Sequence, residues 1–368
     1  MHKTSPDRPG NAPAASIPRQ YTDAAKTPVR IAVGFPGHEE AQRWAEALSV
    51  ACAAIGLDVE VLAWPQRPDS GSQGTDTWPQ GPGAGPRAQS APGRSGHQGA
   101  DYALGWLTPG HFFRENPQLK AFFNAGAGVD AILDAGVVPL ELPIYRLEDA
   151  GMGLQMAQYC ALECLQRLGQ RDEYCADQKL GRWQPRPPLN AADFPVGVVG
   201  MGVLGTQVAA VLRRLGFPVH GFRRDPSVRQ QDCFAGKAQW EAFLAATRIL
   251  ILLAPLTAET RGMIDAHALR QLQPDAWVIN VARGPLIVER DLLAALEGRT
   301  LAGATLDVFA TEPLPPESPL WTHPKVRITP HVAASTLIGP AVNQIAVKLG
   351  KILAGEEASG RVERSRAY

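Results

Sequence analysis

Three polar side chains stand just beyond apolar runs in the last third of the chain. Arg283 lies in NVARGPLI, Glu312 in LDVFATEPLP together with Asp307, and His331 in ITPHVAAS. An arginine presents a planar fork that matches a carboxylate. An imidazole exchanges protons near neutral pH, and a neighbouring carboxylate favours its protonated form. Taken singly, each residue has a plainer reading: His331 as a loop histidine, Arg283 as a helix-terminal charge, Glu312 before Pro313 as a turn residue. Their positions add something more. In an open parallel sheet, ligands bind outside the carboxyl ends of the strands, and all four side chains sit at or near such ends.

The element that must serve them is VGVVGMGVLG, from Val196 to Gly205. An apolar run leads into Gly200, Gly202 and Gly205, the spacing G-x-G-x-x-G, and a helical apolar pattern follows through Val208, Val211, Leu212 and Leu215. Gly200 permits the sharp turn, Gly202 lets a pyrophosphate approach the backbone, and Gly205 lets helix and strand pack closely. The phosphates would rest on free N–H groups at the helix start. About 20 residues on, an acidic residue usually holds the adenine ribose. Here that strand ends GFRRD. Arg223 and Arg224 suit a 2′-phosphate, so NADP(H) is favoured, with NAD(H) as the alternative. Asp225 precedes Pro226 and reads as a turn or cap residue.

Length and composition set the frame. The chain has 368 residues, enough for two ordinary domains, with 45% hydrophobic and 20% charged residues and no formal net charge. Nothing marks a binder of nucleic acid or of anionic membranes. No apolar run nears the roughly 20 residues a membrane span needs, and the polar start MHKTSPDRPGNAPAAS lacks a signal-peptide core. The five cysteines form no C-x-x-C pair. A cytoplasmic protein is expected. The histidines outside the candidate site show no metal-like spacing, so no metal is expected.

Residues 1–27 read as a disordered tail, and the Pro/Gly/Ser-rich stretch 65–99 as a disordered insertion. Elsewhere strands and helices alternate. VRIAVGF, VEVLAW, ADYALGW, LKAFFNAG and PIYRL are the first set of strands. VGVVG, PVHGF, RILILLAP, AWVINVA, GATLDVF and VRITP are the second. The expected fold is α/β, two Rossmann-like domains with parallel sheets and an interdomain active-site cleft. The substrate domain would be 28–146 plus 332–368, and the dinucleotide-binding domain 147–331.

These stretches, with the glycine turn and NAGAGVD before it, resemble the D-isomer-specific 2-hydroxyacid dehydrogenase family over about residues 28–368, the insertion apart. GAGVDAIL, QMAQY, RWQP and the ending VERSRAY are similar to bacterial members that reduce glyoxylate and hydroxypyruvate. The resemblance implies NADPH-dependent reduction of small 2-keto acids, glyoxylate to glycolate and hydroxypyruvate to D-glycerate. It implies that Arg283 binds the substrate carboxylate and polarises the keto oxygen. His331 would be the general acid in reduction and the base in oxidation, with Glu312 paired to it. Ala127 and Gly128 resemble the turn that binds substrate through backbone N–H groups. Val203 and Leu204 resemble the phosphate-binding turn, and Pro255 and Leu256 the adenosine-side loop. Ala282 would be a further cofactor contact, and Asp307 resembles the residue near the nicotinamide amide. A homodimer built through the cofactor domain is also implied. Two alternatives stay open: another D-2-hydroxyacid dehydrogenase of D-lactate or phosphoglycerate type, or a dinucleotide-sensing corepressor-like binding protein.

Overall fold

The structure, a computed structural model, describes residues 28–64, 99–227 and 231–366. The expected tail 1–27 and, save for Gly99, the expected insertion 65–99 lie outside the described residues.

The first unit carries strands β1 (Val29–Gly34), β2 (Val59–Trp64), β3 (Tyr102–Gly105), β4 (Ala121–Asn124) and β5 (Ile144–Arg146). Their spatial order is β2-β1-β3-β4-β5, and every pairing is parallel. Helices α1 (His38–Ala54), α2 (Gly110–Glu115) and α3 (Asp130–Asp134) connect them. On α1 the residues Ala41, Trp44, Ala45, Leu48, Ala51 and Cys52 recur at three- and four-residue steps and are buried, so one stripe of the helix meets the sheet.

The second unit opens with α4 (Met152–Leu168) and α5 (Arg171–Lys179), then β6 (Val196–Val199), α6 (Val203–Arg214), β7 (Val219–Arg223) and β8 (Cys233–Ala235). It continues with α7 (Trp240–Ala245), β9 (Ile249–Leu252), α8 (Ala266–Gln271), β10 (Ala276–Asn280), α9 (Glu289–Glu297), β11 (Leu301–Leu306), β12 (Val326–Ile328) and α10 (Ile338–Leu353). The sheet order is β12-β11-β10-β9-β6-β7-β8, again parallel throughout. Strand β9, ILIL, is buried at every position, as a strand covered on both faces must be.

Two helices cross the sequence order. Although α10 follows the second sheet, Ala341, Val342, Ile345, Ala346 and Leu349 join the core of the first sheet beside α1. Helix α4 packs its Met156, Ala157, Cys160 and Cys164 with Val196, Val208 and Leu212 of the second. The chain therefore passes between the units twice, and one side chain fastens the two passages together. Gln155 donates to the carbonyls of Gly151 and Ser335, both at 2.9 Å, and accepts from Ser335 N–H at 3.2 Å.

Three elements carry no usable sequence signal. Helix α2 is a six-residue piece burying Phe112 and Phe113, too short to display a period. Helix α5, RDEYCADQK, buries only Asp177, so it has no apolar stripe. Strand β8 is a three-residue edge. Among the described residues, no helix is long and apolar enough to cross a membrane.

The contact between α10 and α1 fixes the first unit. Truncating the fully buried Leu349 to alanine is expected to cost about 2–5 kcal/mol, read from urea denaturation. An unchanged midpoint would show that α10 is dispensable to this core.

Candidate active site

All strands in each sheet run in parallel, so their carboxyl ends open on one side of it. The loops beyond β4, β6, β10, β11 and β12 carry most of the expected site residues, and buried polar side chains shape several of these loops.

The glycine turn follows β6. Gly200 has φ +104°, and a Cβ there would stand 2.6 Å from the Leu253 carbonyl carbon. At Gly205 a Cβ would stand 2.1 Å from the Gly200 oxygen, so helix and strand approach more closely than any other residue allows. Gly202 differs: nothing lies within 4 Å of its Cβ position. It opens α6, whose first N–H groups lack helical acceptors and carry the positive end of the helix dipole. A cradle that a side chain would fill, at the start of a 12-residue helix, fits a pyrophosphate. Val203 is exposed beside it, while Leu204 packs against the core of the first unit.

On the adenosine side, the two arginines part company. Arg223 donates to the carbonyl of Met201 inside the glycine turn. Arg224 is exposed and pairs with Glu259 at 3.2 Å, across to the loop after β9. Asp225 accepts from Ser227 N–H at 2.8 Å and Oγ at 2.7 Å, a turn role. Pro255 accepts from the Thr260 hydroxyl at 2.7 Å, and the Leu256 side chain is buried in the core, leaving the backbone of that loop as its ligand-facing part.

Beyond β4, the buried Asn124 amide donates to the carbonyls of Gly126 at 3.0 Å and Gly128 at 2.9 Å. Among the described residues, the N–H groups of Ala127 and Gly128 have no acceptor. Beyond β10, the buried Asn280 plays a matching part. It accepts from Ala282 N–H at 3.2 Å and donates to the Arg283 carbonyl at 2.9 Å. Neither asparagine was singled out from the sequence. A polar amide closing an apolar strand before a small-residue turn was the available signal.

Arg283 is brought to Gly128: a Cβ on that glycine would lie 1.8 Å from Nη2. His331 has φ +55°, a left-handed backbone that costs a non-glycine residue about 1–3 kcal/mol. Asp307 holds it there. Its carbonyl accepts from His331 N–H at 2.8 Å. Its buried carboxylate accepts from the Thr329 hydroxyl at 2.6 Å and from the N–H groups of Val332 at 2.8 Å and Ala333 at 2.9 Å. Thr329 also meets the Tyr159 hydroxyl at 2.6 Å. Since Thr329 spends its proton on Asp307, Tyr159 is the donor, and burial pushes the Tyr159 hydroxyl well above its usual range, keeping the proton on it.

The ring of His331 meets Glu312, Nδ1 to Oε2 at 2.8 Å. Burial works to raise the Glu312 pKa. The His331 hydrogen bond, the Phe309 N–H at 2.9 Å, and the charges of His331 and Arg283 outweigh it and hold the carboxyl below its ordinary value. The charges of Arg283 and His331 thus both favour the carboxylate form of Glu312, and His331 touches it directly. Among the described residues, no group of three or more His, Cys, Asp or Glu side chains could hold a metal.

Comparison with known proteins places this geometry. Residues 159–333 match the family described as D-isomer specific 2-hydroxyacid dehydrogenase, NAD binding domain. A glyoxylate/hydroxypyruvate reductase A of Klebsiella pneumoniae strain 342 is 47% identical over 278 residues, 74% of this chain and 89% of the relative. A D-isomer specific 2-hydroxyacid dehydrogenase of Xanthobacter autotrophicus Py2, crystallised with NADPH and MES, superposes with TM-score 0.77 at 36% identity, covering 93% of this chain and 100% of that one. An NADPH-dependent glyoxylate/hydroxypyruvate reductase of Sinorhizobium meliloti, crystallised with NADP and sulfate, gives TM-score 0.76 at 31% identity over 92% and 100% of the two chains.

The Glu312 pairing has a pH signature. A carboxyl whose folded pKa is depressed stabilises the fold above its unfolded pKa of about 4.3 and loses that contribution as pH falls through the lower folded value. Glu312→Gln is therefore expected to flatten the acid loss of stability below about pH 4.3. Urea melts at several acidic pH values measure this, and identical slopes for both proteins would contradict the pairing.

Proposed function

The chain belongs to the D-isomer specific 2-hydroxyacid dehydrogenase family, and from that premise we propose that it reduces glyoxylate to glycolate and hydroxypyruvate to D-glycerate with NADPH. The observation that carries the reading is the His331–Glu312 pair at 2.8 Å, set where the charge of Arg283 also reaches Glu312. When bound, NADPH supplies the hydride that reduces the keto carbon.

This chain's residues supply everything else. The N–H groups at Gly202, Val203 and Leu204 hold the pyrophosphate. Arg223 and Arg224 receive the 2′-phosphate, Arg224 in place of its contact with Glu259; the backbone at Pro255, Leu256 and Ala282 lines the same crevice, and Asp307 shapes its nicotinamide end. The Ala127 and Gly128 N–H groups and the Arg283 fork bind the substrate carboxylate, and Arg283 polarises the keto oxygen. With Nδ1 engaged by Glu312, Nε2 of His331 delivers a proton to the oxygen as the carbon is reduced, and takes it back in oxidation. Proton and hydride together balance the conversion of ketone to alcohol.

The domains follow the packing of α4 and α10: a substrate domain of 28–146 plus 332–368, and a cofactor domain of 147–331. The homodimer forms through the cofactor domain. The exposed Leu154, Leu162 and Leu165 on α4, with Leu180 and the 98% exposed Trp183 beyond α5, support this reading. The cytoplasm suits a chain whose five cysteines are all free thiols.

A steady-state panel of glyoxylate, hydroxypyruvate, pyruvate and phenylpyruvate with each reduced nicotinamide tests the reading. NADPH with the first two should give the highest kcat/KM. Turnover of phenylpyruvate alone would overturn the substrate assignment, and no turnover of any acid would favour a sensing role. Replacing Arg223 and Arg224 by alanine should weaken NADPH far more than NADH. His331→Asn should lower kcat by about 10²–10⁴-fold.

A further inference from the structure

Arg283 is held from the opposite wall of the crevice. It follows β10 in the second unit, yet its Nε donates to both carboxylate oxygens of Asp130, at 3.0 and 2.9 Å, at the start of α3 in the first unit. The pair is largely buried, with 26% of the arginine and 20% of the aspartate side chain exposed. Nη1 donates to the Ala282 carbonyl at 2.7 Å. Nη2 lies over Gly128 and, among the described residues, has no acceptor.

We propose that Asp130 is a positioning residue for Arg283, aiming its Nη2 edge at the 2-keto acid carboxylate over the Ala127–Gly128 turn. The inference rests on the functional reading above, in which Arg283 binds that carboxylate. A free arginine side chain carries about 2 kcal/mol of rotamer entropy. Among the described residues, two anchors remove it here. One, Ala282, is the adjacent residue and cannot fix the whole chain. Asp130 fixes the guanidinium at the inner end of its plane, which leaves the outer edge for a ligand. The same geometry explains Gly128: a Cβ there would also lie 3.0 Å from Asp130 Oδ1, so any side chain would displace the pair. A misplacement of about 1 Å at such a group costs on the order of 10²-fold in rate.

The test uses Asp130→Ala and Asp130→Asn with glyoxylate and NADPH. Alanine should lower kcat about tenfold or more, with a smaller effect on KM. NADPH affinity, read by fluorescence titration without substrate, should stay unchanged. Asparagine keeps one acceptor for Nε and should restore part of the loss. In an Arg283→Gln background, Asp130→Ala should add less than about twofold. An equal fold loss in both backgrounds would overturn the proposal, because Asp130 would then act other than through Arg283. A crystal structure of Asp130→Ala provides the decision without catalysis: a guanidinium still in its original place overturns the proposal, and a displaced one supports it. If the wild-type protein reduces no 2-keto acid, the functional reading falls, while the Asp130→Ala structure still decides the positioning claim.

Discussion

Parallel strands impose a debt of unpaired backbone groups. Every strand of each sheet ends toward the same side, and each must hand its chain to a loop whose polar groups no longer find a neighbouring strand. Buried side chains settle that demand here. Asn124 ties down the turn after β4, Asn280 the turn after β10, and Asp307 the segment after β12. The Asp307 case is the most consequential. Its carboxyl group is almost wholly removed from water, a state tolerable only because both oxygens are hydrogen-bonded. The same three donors that satisfy it shape the loop of His331 and keep that residue in a left-handed conformation.

The crevice has two kinds of wall. Around the glycine turn, function follows from what is missing: no Cβ at Gly200, Gly202 or Gly205, so backbone meets backbone or stands open to a ligand. Across from it, function follows from charge set against charge. Glu312 is pulled below its ordinary pKa by the groups it faces, which keeps an acceptor on His331 Nδ1. In the proposed reaction, cofactor binding depends on close approach and proton transfer on electrostatics. Both sets of loops leave the same seven-stranded sheet.

Much of this was legible in the residues. The apolar runs marked the strands because parallel strands are buried on both faces, and the glycine spacing marked its turn because each glycine answers a separate steric demand. The ordering of Arg283, Glu312 and His331 pointed to one crevice because all lie past strand ends. Other features left no trace. Helix α5 has no apolar stripe, and α2 is shorter than two helical turns, so periodicity had nothing to report. Arg223 and Arg224 are adjacent in sequence, yet one turns inward to the Met201 carbonyl and the other outward to Glu259. The Asp130–Arg283 pair joins residues 153 apart, and only the folded arrangement of two units could reveal it.

The fastening of the two crossings by Gln155 has a mechanical consequence. Two segments clasped side by side move as a pair. A shift of one unit against the other must therefore carry both crossings along or break the Gln155 hydrogen bonds to Ser335.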